Sequence, residues 1–525
     1  MSVGVPGSLV GIGISMSERV RVHGVAVILL LVVLATGVAA SARRLRVPAP
    51  SLLVVAGLLV ALVPGVPVIQ VAPDVVGLVV LPPLLYAAGQ DLPWRELRPV
   101  WAPVTVLAVG LVLASAAAVS LVAVAVTPLS GAMAFVLGAV LASTDPVAVT
   151  ALGRRLSLPA RLRALIQAES LFNDATSLVL VRVAVAGAVS GAALAPGRGV
   201  AQFLLLAGGG VAVGAVVAGG VALIRWRTED PVLETVTALV TPYAAYIAAE
   251  AAHLSGITAV VVASVVLAGQ ATRLTNARIR LQVHAVYDTV VFLLESVVFS
   301  LIGLQLPALI RAVGGPDWLW LAQAGAITAT LLAVRAVWVF PLWLAVPRRR
   351  GRARPPWTVP VVVSWAGARG VLPLAAALSI PLTVGAERDL VLLLTTAVIV
   401  ITLVAQGSTL GPLVRRSGVA VPPGQARSEE AAARAAMSRA ALAYLDEVDR
   451  LDAAPSVAVA QLRQMLTARP ADTDGAGPVL RQLRRDVIAI EAAELTRLYE
   501  DGVISADTRR QLQRRLDLEE TSLDD

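Results

Sequence analysis

Five charged side chains lie in stretches of sequence that are apolar enough to cross a membrane: Asp145, Glu169, Asp174, Arg335 and Arg369. A charge at bilayer depth costs roughly 2.5 kcal/mol or more, so it occurs where it is paired, hydrated or used in function. Two of the acids belong to short polar motifs, Ser-Thr-Asp-Pro at 143–146 and Glu-Ser-Leu-Phe-Asn-Asp at 169–174. Carboxylate, hydroxyl and amide oxygens are hard ligands that suit a small monovalent cation or a proton. The pattern therefore predicts an ion-coupled membrane transporter.

The composition indicates which elements must position these motifs. Hydrophobic residues make up 57% of the chain and charged residues 15%, and the mean hydropathy is +0.80. The apolar runs are continuous and about twenty residues long, as in membrane-spanning helices, and they lack the alternation of a transmembrane β-barrel. There is no cysteine, and three histidines are scattered, which excludes disulfides and thiolate sites and predicts no metal centre. The predicted fold class is an all-α polytopic membrane protein.

Arginine clusters set the predicted topology. The apolar runs predict about thirteen helices, at roughly 24–41, 48–66, 71–90, 100–126, 131–152, 165–192, 199–224, 233–252, 256–272, 283–311, 317–346, 357–380 and 387–413. Arginine clusters follow the odd-numbered helices, at 43–46, 95–98, 154–163, 225–227, 273–280, 348–354 and 415–416. Because basic loops stay in the cytoplasm, we expect an outside N-terminus and a cytoplasmic C-terminus. The basic excess then reflects topology and predicts no nucleic-acid partner.

The chain divides into three predicted regions. Residues 1–23 form an N-terminal extension, 24–415 a transmembrane domain and 416–525 a tail. A Val-Pro-Pro-Gly linker at 421–424 precedes segments rich in Ala, Glu, Arg and Leu, in which apolar residues recur at helical spacing. We expect a small helical cytoplasmic domain whose charges form a solvated face, with regulatory interactions as a further role.

Predicted helices 5 and 12 are both interrupted. With thirteen helices, helices 1–6 and 8–13 start on opposite sides of the membrane, as in an inverted-topology repeat that relates helix 5 to helix 12. Helix 5 contains Asp145 followed by Pro146, and helix 12 contains Gly-Ala-Arg-Gly at 367–370 followed by Pro373. Proline removes a backbone donor and so frees carbonyls to face a cavity. Such paired interruptions predict a substrate site near the bilayer midplane.

Predicted helix 6 presents two oxygen-bearing faces. Ser170 and Asp174 are four residues apart and share one face, and Glu169 and Asn173 share the neighbouring one. One face can bind a cation while the other holds a structural partner; the alternative is an interhelical hydrogen-bonded cluster. Asp145 can bind an ion or cap a half-helix. A carboxylate that takes a proton or Na⁺ or K⁺ at the same oxygens couples the two ions by competition.

The buried arginines keep their charge and therefore need partners. Glu169 is the predicted partner of Arg369, and Arg335 is assigned a supporting structural role. In predicted helix 10, Asp288 and Glu295 are seven residues apart and share one face. They either line a cavity or hydrogen-bond between helices.

Over about residues 25–415 the sequence resembles the cation/proton antiporters of the NhaP/NHE type in their bacterial form. The motifs that carry the resemblance are Leu-Pro-Pro-Leu-Leu at 81–85, 143–147, 169–174, Thr-Pro-Tyr-Ala-Ala-Tyr at 241–246, 255–266, 292–305 and 365–374. The resemblance implies a dimer of thirteen-helix protomers, each with a core and a dimerisation domain. Helices 5 and 12 would cross at unwound centres.

By motif position, the resemblance also implies roles for individual residues. Asp174 would bind both the cation and the proton. Asp145, Ser170 and the Thr144 carbonyl would be further Na⁺ ligands. Asn173 would stabilise the site, and Glu169 would pair with Arg369. Asn173 stands where an electrogenic relative carries a second Asp, which implies exchange of one cation for one proton. Glu295 stands where relatives often have Asn, and its part in coupling stays open.

The resulting prediction is an antiporter of the cell membrane that exchanges Na⁺ or Li⁺ for H⁺, with lipid as its surroundings and with neither a cofactor nor enzymatic activity. A K⁺/H⁺ exchanger of the same fold is the alternative, because both ions take oxygen ligands. A cation channel needs no single titratable acid beside an amide. An intramembrane aspartyl protease needs a Gly-x-Gly-Asp partner for Tyr287-Asp288, which the chain lacks.

Overall fold

The structure is a computed structural model in which every regular element of the described residues is helical, as predicted. The described residues are 33, 36–38, 49–63, 76–92, 94–145, 158–190, 196–228, 230–274, 277–313, 318–345, 356–420, 422–451, 454–467 and 478–522. The predicted N-terminal extension and nearly all of predicted helix 1 lie outside them, as does Pro146.

Among the described residues, fourteen helices precede the predicted tail or form its junction, apart from the short helical turns Val76–Val80 and Leu382–Val384. They are α1 (Ala49–Ala61), α2 (Leu81–Gln90), α3 (Trp94–Leu97), α4 (Arg98–Val126), α5 (Gly131–Leu141), α6 (Ala160–Ser190), α7 (Pro196–Arg227), α8 (Pro231–Ala251), α9 (Gly256–Leu274), α10 (Ala277–Ala312), α11 (Leu319–Ala345), α12 (Thr358–Trp365), α13 (Val371–Leu378) and α14 (Ala386–Ser417). α10 begins six residues before the predicted boundary, so Arg280 lies on a helix and not in a loop.

Within the described part of the chain, seven helices are long and apolar enough to cross a membrane: α4, α6, α7, α8, α10, α11 and α14. Four shorter apolar helices accompany them: α1, α2, α5 and α9. The spans differ in position within the bundle. The most apolar window of α14 is 78% buried, whereas that of α7 is only 11% buried. α14 is therefore a central helix, and α7 lies at the periphery.

Small residues allow close helix packing, as is usual where lipid surrounds a bundle. α1 packs along α10, and a Cβ on Gly57 would stand 2.1 Å from the Ser300 carbonyl oxygen. On the facing side, a Cβ on Gly303 would stand 2.0 Å from the Val54 carbonyl oxygen. The two backbones can approach this closely only because both positions are glycine.

Two interrupted helical stretches meet inside the bundle. α5 ends at Leu141, and residues 143–145 have no regular structure. The predicted helix 12 is divided into α12 and α13 by the non-helical residues 366–370. The backbone amide of Asp145 donates to the Ala368 carbonyl at 2.8 Å. This hydrogen bond pairs a backbone amide of one interruption with a backbone carbonyl of the other. Within a membrane such groups must find partners inside the protein.

The described part of the tail contains four helices, α15 (Pro423–Arg450), α16 (Ser456–Thr467), α17 (Pro478–Glu500) and α18 (Ala506–Ser522). Apolar residues at helical spacing bury two small cores between them, one of which centres on Leu445, Leu462 and Val487. The other centres on Leu495 and Leu512. α18 also packs against α10, so the tail contacts the membrane part of the molecule.

Candidate functional site

α6 carries four polar side chains into the interior of the bundle. Glu169, Ser170, Asn173 and Asp174 are exposed by only 0%, 1%, 1% and 3% respectively. A spacing of three or four residues places them on adjacent faces of one helix, as the sequence predicts. The helix is anchored beside α5 by the Ser177 hydroxyl, which donates to the Ala139 carbonyl at 2.6 Å.

The amide of Asn173 holds the non-helical segment after α5. Its Nδ2 donates to the Thr144 hydroxyl at 2.7 Å, and its Oδ1 accepts from the Thr144 backbone amide at 3.3 Å. The Ser170 hydroxyl donates to the Thr144 carbonyl oxygen. These contacts join Ser170, Asn173 and Thr144 in one cluster beside Asp174, as the sequence predicts.

The predicted pairing of Glu169 with Arg369 is wrong. Glu169 instead accepts hydrogen bonds from both terminal nitrogens of Arg335, with Nη2 2.9 Å from Oε2. Arg335 is 2% exposed, and its Nε donates to the Val363 carbonyl at 3.0 Å. A planar guanidinium fits a carboxylate with two parallel hydrogen bonds. Glu169 and Arg335 are 166 residues apart in sequence. Local sequence patterns therefore cannot show which arginine contacts this acid.

Arg369 binds backbone carbonyls instead. Its Nη1 donates to the carbonyls of Ala142, at 2.9 Å, and Ser143. Its own backbone amide donates to the Thr402 hydroxyl at 3.1 Å. Carbonyls freed by the end of α5 therefore meet a permanent cation, which fastens one interrupted stretch to the other. The sequence analysis did not identify Thr402. Its only sequence signal is that a hydroxyl occurs within the long apolar helix α14.

Asp174 and Asp145 face a common cavity. Both line a space of about 540 Å³ together with Ser170. The Ser143 side chain lies within hydrogen-bonding reach of the Asp174 carboxylate, but Asp174 Oδ1 is buried with no hydrogen-bond partner among the described residues. Buried polar atoms are normally satisfied. An unsatisfied carboxylate oxygen on a cavity wall is what a site for an ion, a proton or water requires.

Gly370 sets the position of the Asp145 carboxylate. A Cβ at this glycine would stand 1.5 Å from Asp145 Oδ2, far inside any allowed contact. The glycine therefore lets the carboxylate lie against the backbone at the start of α13. Sequence reasoning treated this glycine as a helix breaker and missed its steric role.

The two acids of α10 lie on the wall of the same cavity. Both Asp288 and Glu295 line the cavity. Asp288 is an exposed residue, and Glu295 is half-buried. Asp145 is close enough for its charge to act on Glu295. Of the two predicted roles, cavity lining is therefore the one that the structure supports.

One polar group on the cavity wall has no counterpart in the sequence analysis. Arg225 and Glu234, which are 7% and 1% exposed, line the cavity beside Tyr86. Neither carboxylate oxygen of Glu234 has a hydrogen-bond partner among the described residues. Tyr86 stacks on Tyr287 with ring centroids 5.6 Å apart. Arg225 falls in a cluster that the sequence assigns to topology, so its burial carries no sequence signal.

The site thus combines carboxylate, hydroxyl and carbonyl oxygens around a cavity. Among the described residues there is no cluster of three or more His, Cys, Asp and Glu side chains able to hold a metal ion. The oxygen set instead has the chemistry of an alkali-cation or proton site.

Comparisons with known proteins agree with this chemistry. The family model described as "Sodium/hydrogen exchanger, transmembrane" matches residues 27–416. An uncharacterized Na⁺/H⁺ exchanger of Mycobacterium tuberculosis is 34% identical over 506 residues, which is 91% of this chain and 92% of the relative. The Na⁺/H⁺ antiporter ApNhaP of Aphanothece halophytica is 29% identical over 476 residues, 88% of this chain and 89% of the relative.

The fold is also similar to a solved structure. The sodium proton antiporter MjNhaP1 from Methanocaldococcus jannaschii, determined at pH 8, superposes with a TM-score of 0.62 at 19% sequence identity. The match covers 75% of this chain and 98% of that one. At this identity the likeness concerns the fold alone.

Proposed function

The chain belongs to the sodium/hydrogen exchanger family, and from this premise we propose that it exchanges Na⁺ or Li⁺ for H⁺ at the carboxylate of Asp174. It is a multi-pass monovalent cation/proton antiporter of the NhaP/NHE type, and a transporter rather than an enzyme. Its transported ions are Na⁺ and H⁺, and exchangers of this family use no cofactor.

The observation that carries the proposal is the unsatisfied oxygen of Asp174. This side chain is 3% exposed, lines the cavity and has Oδ1 without a partner among the described residues. A buried carboxylate is stabilised either by a proton or by a cation at the same oxygens. Because one site holds one or the other, competition alone couples the two fluxes.

We assign the remaining ligands from their places around Asp174. Asp145, Ser170 and the Thr144 carbonyl provide further oxygens for Na⁺, and Asn173 holds the segment that presents them. Glu169 is removed from ion binding because Arg335 occupies both of its oxygens. Arg369 keeps the two interruptions together, and Asp288 and Glu295 line the route to the site.

Exchange is proposed to be electroneutral, with one cation for one proton. The pair at 173–174 contains one acid and one amide, and that amide is engaged with Thr144. The Asp145 carboxylate lies against Gly370 at the start of α13, whose N-terminal dipole favours a negative charge. Asp145 can then stay ionised while only Asp174 changes its proton.

The same proposal includes the finer architecture. Alternating arginine clusters support thirteen helices with an outside N-terminus, a cytoplasmic C-terminal tail and a plasma-membrane location. The contact between residues 145 and 368 supports crossed, unwound helices 5 and 12 in an inverted repeat. The apolar window of α7, only 11% buried, supports a homodimer in which a second copy and lipid cover this surface.

The test is cation-driven dequenching of a pH dye in proteoliposomes, with Na⁺, Li⁺ and K⁺ compared at equal concentration. Na⁺ and Li⁺ should drive proton movement, and Asp174→Asn should not respond. A larger response to K⁺ than to Na⁺ would replace the assignment with K⁺/H⁺ exchange. The Na⁺ response should be unchanged when valinomycin clamps the potential at zero or at a negative value. A rate that follows the potential would contradict electroneutrality.

A further inference from the structure

The last helix in the described part of the tail, α18, contacts two residues that line the ion cavity. Arg280 at the start of α10 and Asp91 after the end of α2 both line that cavity. Each forms an ion pair with α18. Arg280 contacts Asp517, and Arg510 contacts Asp91 with Nη1 4.0 Å from Oδ1 and 3.2 Å from the Asp91 carbonyl oxygen. α18 therefore joins two elements of the cavity wall, α10 and the end of α2.

A third ion pair joins the same helix to the site helix. Arg163, in the first turn of α6, pairs with Asp507 in the first turn of α18. Arg163 is 8% exposed. α6 is continuous from this point to Asp174, so a restraint on its first turn is transmitted along a rigid rod to the ion site.

The contacts differ in strength, and the strongest is the most buried. Arg280 binds both oxygens of Asp517, with Nε to Oδ2 at 3.2 Å, and the two side chains are 17% and 5% exposed. Bidentate arginine–carboxylate pairs of this kind fix geometry as well as adding energy. The pair between Arg510 and Asp91 is about half exposed on both sides and contributes less.

The effect of docking is mechanical more than electrostatic. The charges that α18 brings to these contacts, on Asp507, Asp517 and Arg510, are each paired with an opposite charge on the membrane part of the molecule. The helix nevertheless connects α6, which carries the ion site, with α2 and α10, which form the facing wall. In secondary transporters, access alternates when one bundle moves against the other around the site.

We propose that α18 is a clamp that ties the site helix to the facing wall of the cavity and slows exchange while it is docked. The proposal rests on the exchange activity proposed above and on the cytoplasmic location of the tail. Release of the clamp should let α6 move relative to α2 and α10, and it should also open the cavity to solutes.

Tail substitutions test the clamp without touching the ion site. Asp507→Asn removes the partner of Arg163, and Asp517→Asn removes the partner of Arg280. Each should raise the rate of Na⁺-driven proton exchange, and the two together by about fivefold or more, at the lower end of typical coupling between sites. The matched control is Asp501→Asn, because Asp501 is a tail aspartate that pairs with Arg497, within the tail. Asp507 is 39% exposed, so its variant stays informative if Asp517→Asn unfolds the tail.

A second measurement reports docking independently of transport. The chain contains no cysteine, so Ala88→Cys places a single thiol on the cavity wall. A charged maleimide should label it faster in the Asp507→Asn and Asp517→Asn backgrounds than in the parent or the Asp501→Asn control. Unchanged labelling and unchanged exchange would overturn the clamp, as would faster labelling with unchanged or slower exchange. Faster labelling in a protein whose parent shows no exchange would instead overturn the proposed function while keeping the docking.

Discussion

Two acids on α6, only five residues apart, differ in almost everything except their burial. Glu169 is 0% exposed and has both oxygens bound by Arg335. Asp174 is 3% exposed and lines the cavity, yet its Oδ1 has no hydrogen-bond partner in the described part of the chain. Burial alone is therefore a poor guide to role. A satisfied charge holds the fold, whereas an unsatisfied one requires a ligand.

The two buried arginines repeat this contrast. Arg335 meets a carboxylate and a carbonyl, so its charge is neutralised inside one structural pair. Arg369 meets only carbonyls through Nη1, and its Nε has no hydrogen-bond partner among the described residues. Arg369 therefore adds a positive charge close to the ion site, where it can offset the negative charge of two neighbouring aspartates.

The largest expected effect comes from the unsatisfied acid. Asp174→Asn should abolish Na⁺-driven proton exchange, because a neutral amide neither takes up and releases a proton nor offers a negative charge to the cation. Thermal unfolding in detergent should be unchanged or shifted upward, since the cost of burying a carboxylate charge is removed. Proteoliposome flux and melting measured on the same preparation check both halves. Substantial exchange by this variant would contradict the assignment.

Gly370→Ala tests whether the site depends on the close approach to Asp145. The added Cβ would stand 1.5 Å from Oδ2, so the carboxylate must move. A displacement of about 1 Å can reduce activity about a hundredfold, and we expect a loss of that order in the Na⁺-driven rate. Gly325→Ala in α11, where nothing lies within 4 Å of the new Cβ, is the control. Equal rates for the two variants would mean that Asp145 is not held by this contact.

Breaking the satisfied pair should lower stability first. Either Glu169→Gln or Arg335→Gln leaves a buried charge without its partner, which costs about 3–5 kcal/mol. The apolar double variant Glu169→Leu/Arg335→Met should recover most of this loss, because it buries no charge. Thermal unfolding followed by intrinsic tryptophan fluorescence measures all three. Additive losses in the double variant would show that the two side chains do not act as a pair.

The smallest effect is expected at a pair with the same chemistry but greater exposure. Arg182 and Glu250 also form an ion pair, yet their side chains are 37% and 31% exposed. Such pairs contribute about 0–1 kcal/mol, so Glu250→Gln should shift unfolding far less than Glu169→Gln does. Measured side by side, the two variants isolate burial as the variable. Equal shifts would contradict the distinction drawn between the pairs.

Residue types and local spacing were sufficient to predict much of the site. The four polar residues of α6 lie where a helical period places them, and the Asp145 segment lies beside them, as two polar motifs in apolar surroundings indicated. The partners of the arginines were predicted wrongly: the sequence pointed to Arg369 for Glu169, whereas Arg335, 166 residues away from Glu169, forms the pair. The polar group of Arg225 and Glu234 was missed as well.

The sequence by itself determined the all-helical class and the family and singled out Asp174 as the candidate exchange acid, since hydropathy and polar motifs act locally along the chain. Only the tertiary structure decided which charges are satisfied and which face the cavity. It also decided that Gly370 must lack a side chain and that α18 pairs with residues that line the cavity. These features depend on distances between remote helices. Such distances arise from packing the whole bundle, and no short stretch of sequence contains them.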